Sequence, residues 1–479
     1  MNFKFTAFIL LLLVVLIGVA IYLANKPSPA PTSKFVFGVP PADIQKLTYQ
    51  PANGPETILQ KQGERWRILS PISAWMDDYK AQNLITSLTQ LAYLTQIQAE
   101  TSGANSLASN GLAPPQSVIT LTDEAGRNYT LNVGQQDAQG RLYVATSESP
   151  GFMDVVDASW IDPLMQPPDN LRDMTLANFQ PDLVKTIQII DNGKTSLITH
   201  DGDSWTLTEP VRARIDASKI QDWLDTLQGM TAQSFVSNSA ATASLKHSRE
   251  KIELTFSAQV PEAPQPPLDI QFGGYTDLTE KNIYVNSSQN PGAAVVDAGQ
   301  LSQLQVQPLR DSTLIHQNLN EATGISVHWN VMGNPNAGGN WFLTRDKNDN
   351  WEIGDSPKHY HNGPLADVVQ GAVDSLLAKL SGLQADHFID NPDQAIAYGL
   401  SPPHESIDIQ MPGHDVKVDI GLPQKSGYTA FKTPDWPSLY LVKTDNATGL
   451  TPDDFQDLIK KPAATMTTTT KPATFPAGG

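Results

Sequence analysis

The feature that most constrains this sequence is a pattern that recurs along it. The segment WRILSPISAWMD and the later segment WTLTEPVRARID align without a gap. The positions they share are Trp66, Pro71 and Asp77 in the first segment and Trp205, Pro210 and Asp216 in the second. Because recurrence at fixed spacing indicates a repeated structural unit, the chain should fold as tandem copies of one module.

Each of these two copies predicts the same local structure. A turn suited to a β-hairpin precedes each tryptophan, KQGER before Trp66 and HDGDS before Trp205. Apolar residues at helical spacing follow each aspartate, so Asp77 and Asp216 should cap helices, where a carboxylate accepts unpaired N–H groups. Trp66 and Trp205 are expected to lie in the core rather than in a ligand site, because a large aromatic buries much apolar area.

A third copy is more divergent. The turn RDKNDN precedes Trp351, and an apolar stripe around Leu377 predicts an amphipathic helix. No aspartate follows at the expected offset, and an insertion containing HYHNG comes after Pro357. The start of the third helix is therefore left open.

Later segments of each copy alternate between apolar and polar residues. VITLTDEAGRNYTLNVG, KIELTF with LDIQFGG, and SIDIQMPGHDVKVDIG predict strands joined by glycine-containing turns. The first and second copies end in LRDMTL and LRDSTL. At these junctions Arg172, Asp173, Arg310 and Asp311 are expected to orient one module on the next through ion pairs or hydrogen bonds, with docking charges as the alternative.

The amino-terminal segment predicts a membrane anchor. Residues 5–24, FTAFILLLLVVLIGVAIYLA, form an apolar run long enough to cross about 30 Å of hydrocarbon. A cleaved signal has a shorter apolar core of about 7–15 residues, so an uncleaved anchor in the inner membrane is favoured. Lysines flank both ends of the run, and the large acidic remainder favours a cytoplasmic amino terminus with the modules in the periplasm.

Composition limits the classes of partner. Fifty Asp and Glu against 32 Lys and Arg give a net charge of -18, which repels phosphate backbones, so nucleic acid is not expected as a partner. The absence of cysteine excludes disulfides, thiolate metal ligands and a thiol nucleophile. Hydrophobic residues make up 40% of the chain, enough for buried cores.

These observations predict an α+β fold: a transmembrane helix followed by three tandem modules of antiparallel sheet with packed helices. The predicted boundaries are an anchor over 1–26, a Pro-rich linker over 27–34, modules over 35–176, 177–314 and 315–460, and a disordered Thr/Pro-rich tail over 461–479.

Three groups of residues resemble chemical sites, and each also has a structural interpretation. Asp346 and its neighbours imitate the start of a calcium loop, but Trp351 stands where such a loop needs glycine, which favours a turn. Paired carboxylates for glycoside hydrolysis are not favoured, since Asp77 and Asp216 belong to different copies. A weak candidate metal site combines His359, His361 and Asp367, with a surface loop as the preferred interpretation. No metal, cofactor or catalytic residue is predicted.

Four features occur together in this sequence: the anchor, the Trp-x-x-x-x-Pro spacing with its Asp and helix, Gly-Leu-x-Pro-Pro before a strand, and Leu-Arg-Asp at the module ends. In this combination the sequence resembles a bacterial family, the domain of unknown function 4340. The resemblance covers about residues 35–460. It implies an envelope protein without established catalytic activity, associated with ABC-type transporter components of the gliding-motility type.

The expected function is accordingly that of a non-enzymatic, membrane-anchored scaffold or binding component with a protein partner in the envelope, accessory to a transporter or surface-assembly complex. Exposed sheet edges offer a physical route to such binding. The alternative is an envelope enzyme or ligand-binding protein, for example for glycan, with a site in a cleft between modules.

Overall fold

The computed structural model describes residues 35–258, 265–331, 334–354 and 368–450. The predicted anchor, the Pro-rich linker, the tail and the candidate metal ligands His359, His361 and Asp367 lie outside these ranges. Within them, no helix combines the length and apolarity needed to cross a membrane.

Three antiparallel sheets make up the described part of the fold, and each sheet is formed by the strands of one copy. The first has nine strands in the order β4-β3-β2-β1-β6-β7-β8-β9-β5. Its strands are β1 Ile44–Pro51, β2 Thr57–Gln62, β3 Arg65–Ser70, β4 Ala74–Trp75, β5 Thr95–Gln98, β6 Ser117–Asp123, β7 Asn128–Gln136, β8 Arg141–Thr146 and β9 Phe152–Asp157. The helices of this copy are α1 Asp78–Thr89 and α2 Asp162–Met165.

The second sheet repeats this topology, in the order β13-β12-β11-β10-β15-β16-β17-β18-β14. Its strands are β10 Val184–Asp191, β11 Lys194–Asp201, β12 Ser204–Glu209, β13 Ala213–Arg214, β14 Ser234–Val236, β15 Glu250–Phe256, β16 Leu268–Tyr275, β17 Asn282–Ser287 and β18 Ala293–Asp297. The helices of this copy are α3 Ala217–Gln228, α4 Ser239–Lys246 and α5 Ala298–Ser302.

The third sheet has eight strands among the described residues, in the order β21-β20-β19-β23-β24-β25-β26-β22. They are β19 Gly324–Val331, β20 Asn334–Arg345, β21 Trp351–Ile353, β22 His387–Ile389, β23 Glu405–Gln410, β24 Val416–Ile420, β25 Tyr428–Lys432 and β26 Leu439–Lys443. The helices are α6 Gln370–Ser381 and α7 Thr444–Ala447. In the third copy, the residues that correspond in sequence to β4 and β13 lie within residues 355–367, outside the described ranges.

The core of each copy forms between one face of its sheet and one long helix. In the first copy, Leu84 and Leu88 of α1 belong to the same buried cluster as Ile44 and Leu47 of β1. In the third copy, Leu377 of α6 lies in one buried cluster with residues of β19, β23 and β24. Helical spacing aligns the apolar side chains of each helix on one side, and alternation does the same on the strands.

The class predicted from sequence needs one correction. Three repeated antiparallel sheets are confirmed, but the architecture is mostly β, because among the described residues only α1, α3 and α6, one in each copy, reach twelve residues. The period of the apolar residues identified these helices, whereas the remaining helices are single turns or short segments.

The described chain divides by internal contacts into two compact units. The first holds the described residues up to Leu176 together with Thr231–Thr242 and Asn286–Val296, and the second holds the remainder. Residues of the second sheet therefore belong to both units.

Candidate functional site

The repeated tryptophans occupy equivalent strands. Trp66, Trp205 and Trp351 lie on β3, β12 and β21, and all three are buried. His200 stacks on Trp205 with the ring centroids 4.1 Å apart, and the Arg345 guanidinium lies 4.6 Å from the Trp351 ring. These contacts place the tryptophans in the packing of their copies.

The repeated prolines and aspartates follow these strands. Pro71 and Pro210 each follow a cis peptide bond directly after β3 and β12. The Asp77 carboxylate accepts a hydrogen bond from the Lys80 N–H at 2.9 Å, and Asp216 occupies the same N-cap position on α3. Both aspartates thus satisfy N–H groups that have no partner within the helix.

The third helix begins differently. Val369 stands at the N-cap of α6 and makes no side-chain cap bond. The next residue, Gln370, instead turns its amide onto the backbone of Trp351, accepting from the N–H at 2.6 Å and donating to the carbonyl at 2.7 Å. A side-chain clamp on β21 takes the place of the cap.

The segment that imitates a calcium loop is a hairpin turn between β20 and β21. The Asp346 carboxylate accepts hydrogen bonds from the N–H groups of Asn348 and Asn350 at 2.8 and 2.9 Å. Asp349 adopts a positive φ of 66° in the same turn. The carboxylate that a metal would need is therefore used to hold the turn.

The Leu-Arg-Asp segments extend the short strands that precede the helices. In the first copy the Asp77 N–H donates to the Leu171 carbonyl at 3.0 Å, and the Asp173 N–H donates to the Trp75 carbonyl at 2.9 Å. In the second copy the Asp216 N–H donates to the Leu309 carbonyl at 2.9 Å, and the Asp311 N–H donates to the Arg214 carbonyl at 3.0 Å. The N-cap aspartate and the Leu-Arg-Asp segment are thus parts of one structural device.

The Arg172 side chain is buried in a socket made by residues of the second sheet. Its guanidinium lies over the Phe235 ring of β14, 3.3 Å from the centroid. Nε and Nη2 donate to Oδ1 of Asn290 at 3.1 and 3.0 Å, and Nη2 also donates to the carbonyl of Pro291. Asp169, four-tenths exposed, supplies the nearest carboxylate at 3.5 Å. Burial lowers the pKa of Arg172, as expected for a cation held mainly by neutral groups.

The Arg310 side chain occupies the equivalent socket on the third sheet. Its guanidinium lies 3.9 Å from the centroid of Phe388 on β22. Nη1 donates to the carboxylate of Asp390 at 2.8 Å, and Nη2 donates to the hydroxyl of Ser438 at 2.8 Å. Each socket thus combines a buried arginine, a phenylalanine of the outermost strand and hydrogen-bond acceptors. We call these two sites the joint sockets.

The aspartates of the same motif hold the chain that leaves each socket. Asp173 accepts from the Thr175 N–H and Asp311 from the Thr313 N–H, both at 2.9 Å. Asp173 also forms an ion pair with Arg65 at 2.7 Å. These aspartates thus accept hydrogen bonds within their own copy.

Sequence reasoning identified the joint arginines but not the residues that receive them. Asn290 lies 118 positions from Arg172, and Ser438 lies 128 positions from Arg310. Neither stands in a recognisable motif. The only repeated signal is the phenylalanine, which occupies the same strand position in β14 and β22.

A buried carboxylate also lies in the second sheet. Glu250, at the start of β15, pairs in register with Asp191 of β10. Burial and the charge of Asp191 raise the pKa of Glu250 to about 7. Over the described ranges, no group of three or more His, Asp or Glu residues is arranged to hold a metal ion.

Comparison with known families agrees with the motif resemblance. A family model described as Domain of unknown function (DUF4340) matches residues 90–247 and 205–403. The chain belongs to the DUF4340 family. Each matched segment contains one joint arginine and the phenylalanine beneath it, so the DUF4340 pattern spans the junction between copies.

Comparisons with individual proteins add little to the family assignment. No curated protein matches the chain significantly. Among solved structures, the chain is 8% identical to a DNA polymerase sliding clamp from Pseudomonas aeruginosa, covering 85% of this chain and 93% of the clamp with a TM-score of 0.14. A sliding clamp from Caulobacter crescentus is 9% identical, with coverages of 88% and 93% and a TM-score of 0.14. Likenesses this weak support no conclusion about fold or function.

Proposed function

We propose that this DUF4340 protein is a non-enzymatic scaffold of the bacterial envelope. Residues 5–24 anchor it in the inner membrane with the amino terminus in the cytoplasm, and the three copies lie in the periplasm. There it binds a protein partner, a component of an ABC-type transporter or of a surface-assembly complex.

The recurrence of the joint socket supports this proposal most strongly. Two buried arginines at equivalent positions, Arg172 and Arg310, each sit on a phenylalanine and donate to two or more acceptors. A buried cation is costly unless it is paired and hydrogen-bonded, so each socket fixes one arrangement of the segments it joins. Fixed spacing between repeated binding surfaces is what a scaffold requires.

The membrane location is supported by the sequence of the anchor segment. Residues 5–24 carry Thr6 and Tyr22 as their only polar side chains, and the Pro-rich KPSPAPTS follows as a semi-rigid spacer. A carbonate wash of isolated membranes should leave the full chain in the pellet. A variant with Leu13→Lys and Val15→Lys should move to the supernatant, because charges in the centre of an anchor oppose insertion.

Cross-linking in intact cells tests the scaffold role. After mild cross-linking and purification of the tagged full chain from membranes, a transporter component should be recovered in a fixed ratio. Breaking both sockets with Arg172→Ala and Arg310→Ala should reduce that recovery. Arg249→Ala is the matched control, because Arg249 is exposed and lies outside both sockets. Recovery of no partner in a fixed ratio from wild-type cells would refute the scaffold function.

A further inference from the structure

The first sheet has a site at the position of the joint sockets. Strand pairing fixes the equivalence: Gln96 of β5 faces Asp154 of β9, as Phe235 faces Ala294 in the second sheet. In the third sheet the corresponding pair is Phe388 and Tyr440. The first sheet therefore carries a polar pair where the other two sheets receive an arginine over a phenylalanine.

Asp154 is a buried carboxylate without a cation beside it. Its residue is only 2% exposed, and its Oδ1 accepts a hydrogen bond from the Gln96 amide at 2.9 Å. No ion pair to Asp154 occurs among the described residues. Burial raises the pKa of Asp154, against the opposing effect of the Gln96 hydrogen bond. A buried carboxylate of this kind gains from a charged donor.

Two apolar side chains on the same face as this carboxylate are exposed, while its cross-strand neighbour Val144 is buried. Leu94 is 60% exposed and Phe152 is 41% exposed. Leu94 and Gln96 alternate with Thr95, and Phe152 and Asp154 alternate with Met153, so all four side chains project from one face of paired strands. Exposed apolar side chains that surround a polar group are typical of a protein-binding surface.

The sequence has no arginine at the position of the first copy that corresponds to Arg172 and Arg310. Phe35 bridges Ala92 as Thr175 bridges Thr231 and Thr313 bridges Gln384. Three residues before Thr175 stands Arg172, and three before Thr313 stands Arg310. Three residues before Phe35 the sequence has Thr32, which carries no guanidinium.

We propose that Leu94, Gln96, Phe152 and Asp154 form a receptor for an arginine presented, beside an apolar residue, by an extended segment of another protein. We call these four residues the first-sheet receptor. The inference rests on the proposed binding role and specifies the chemistry of the partner: the arginine donates to Asp154, and the apolar residue covers Leu94 or Phe152.

A second copy of this chain is a poor occupant. Leu304 of the second copy and Leu450 of the third copy are matched positions in the sequence. The residues five and six positions after Leu304 are Leu309 and Arg310, whereas those five and six positions after Leu450 are Phe455 and Gln456. The end of the third copy thus carries an amide where a head-to-tail contact would need a guanidinium. The receptor is therefore assigned to a partner with a different sequence.

A peptide taken from the joint tests the receptor. The probe is a fluorescent peptide of residues 168–173, PDNLRD, which carries the leucine and arginine of the first joint. Anisotropy titrations with the purified full chain in detergent should show saturable binding. Replacing the peptide arginine with glutamine should weaken binding about tenfold or more, since a charged hydrogen bond is lost.

Variants of the protein locate the binding. Asp154→Asn should weaken binding about tenfold, whereas Glu148→Gln, which removes an exposed carboxylate between β8 and β9, should leave it unchanged. Circular dichroism and a melting curve establish that each variant is folded.

Three outcomes would overturn the inference. They are the absence of saturable binding, equal binding by wild type and Asp154→Asn, and stronger binding after Lys34→Gln, which would show that Lys34 fills the receptor. The scaffold function fails separately. If cross-linking of wild-type membranes recovers no partner, the scaffold function is refuted. If the Asp154→Asn variant recovers the partner in the same amount as the wild type, only the receptor is refuted.

Discussion

The second and third copies differ in how their long helices begin. Both share a strand order and a long helix on the sheet. In the second copy, Asp216 caps α3 and its N–H donates to Leu309, next to the joint arginine. In the third copy the helix begins at Val369 without a side-chain cap.

This difference teaches that the helix cap and the joint belong together. The residue before each cap, Met76 or Ile215, forms a β-bridge with the joint arginine, Arg172 or Arg310. The first and second copies thus use the start of the long helix to position the Leu-Arg-Asp segment. In the third copy Gln370 holds the start of the helix on β21 instead.

Removing the joint arginine of the second copy should have the largest effect. Arg310→Ala removes the cation that pairs with the Asp390 carboxylate, leaves that carboxylate with only the Ser438 hydroxyl as a donor, and opens a space over Phe388. Breaking a buried ion pair from one side costs about 3–5 kcal/mol, and the partial exposure of Asp390 places the effect near 3. Urea denaturation should show the loss, and the exposed control Arg249→Ala should change stability by less than about 0.5 kcal/mol. A similar small change for Arg310→Ala would mean that the socket is not a stabilising joint.

The buried carboxylate of the second copy should make its stability depend on pH. Glu250 faces Asp191, whereas Glu405 at the same strand position of the third copy faces Trp329. Because the pKa of Glu250 is about 7 in the folded protein and 4.5 when unperturbed, its protonation stabilises the fold. That stabilisation is present at low pH and is lost as pH rises from about 4.5 through 7.

Glu250→Gln should therefore raise stability at pH 8 by up to about 3 kcal/mol and have little effect at pH 4. Hydrogen exchange of β15 at the two pH values measures the difference. Glu253→Gln is the matched control, since Glu253 lies on the same strand but is partly exposed and pairs with Lys251 at 3.2 Å. Equal effects of the two substitutions would assign the pH dependence to general charge.

The acceptor of the joint arginine is the neutral Asn290 at the first joint and the charged Asp390 at the second. The substitution Asn290→Asp tests why the first joint has a neutral acceptor. The Asn290 amide accepts from Arg172 and also donates to the carbonyls of Asp173 and Thr175, at 2.6 and 3.1 Å. An aspartate would gain charge attraction but lose both donations, so we expect a loss of about 2 kcal/mol. At the second joint, Asp390→Asn should cost about 1 kcal/mol, because Asp390 accepts from Arg310 and Ser438 and an amide oxygen can still accept both bonds. Equal unfolding midpoints for the two variants would contradict this explanation.

Much of each copy was predictable because local pattern determines it. The spacing of Trp205, Pro210 and Asp216 predicted strand, turn and capped helix, and apolar period predicted the helix at Leu377. The sockets were not predictable, since β14 and β22 are three-residue strands whose pairing comes from distant segments. The burial of Asp154 was not predictable either, because an aspartate in a strand is usually exposed. Only the register of β5 and β9 shows that Asp154 faces Gln96.

The smallest predicted effect concerns the start of the third helix. Val369 has the extended backbone of an N-cap, with φ -87° and ψ 95°, but no oxygen to accept the free N–H groups of α6. Val369→Asp should supply that acceptor and a favourable charge at the positive helix end, raising stability by about 1 kcal/mol. Hydrogen exchange in the first turn of α6 should slow accordingly.

The converse substitution in the second copy completes this test. Asp216→Ala should cost about 1 kcal/mol by removing the acceptor of the Ser218 and Lys219 N–H groups. Because Asp216 also adjoins Leu309 through its backbone, faster exchange should extend from α3 to the joint, whereas Val369→Asp should act on α6 alone. If exchange at Leu309 and Arg310 stays unchanged in Asp216→Ala, the helix cap and the joint are independent of each other.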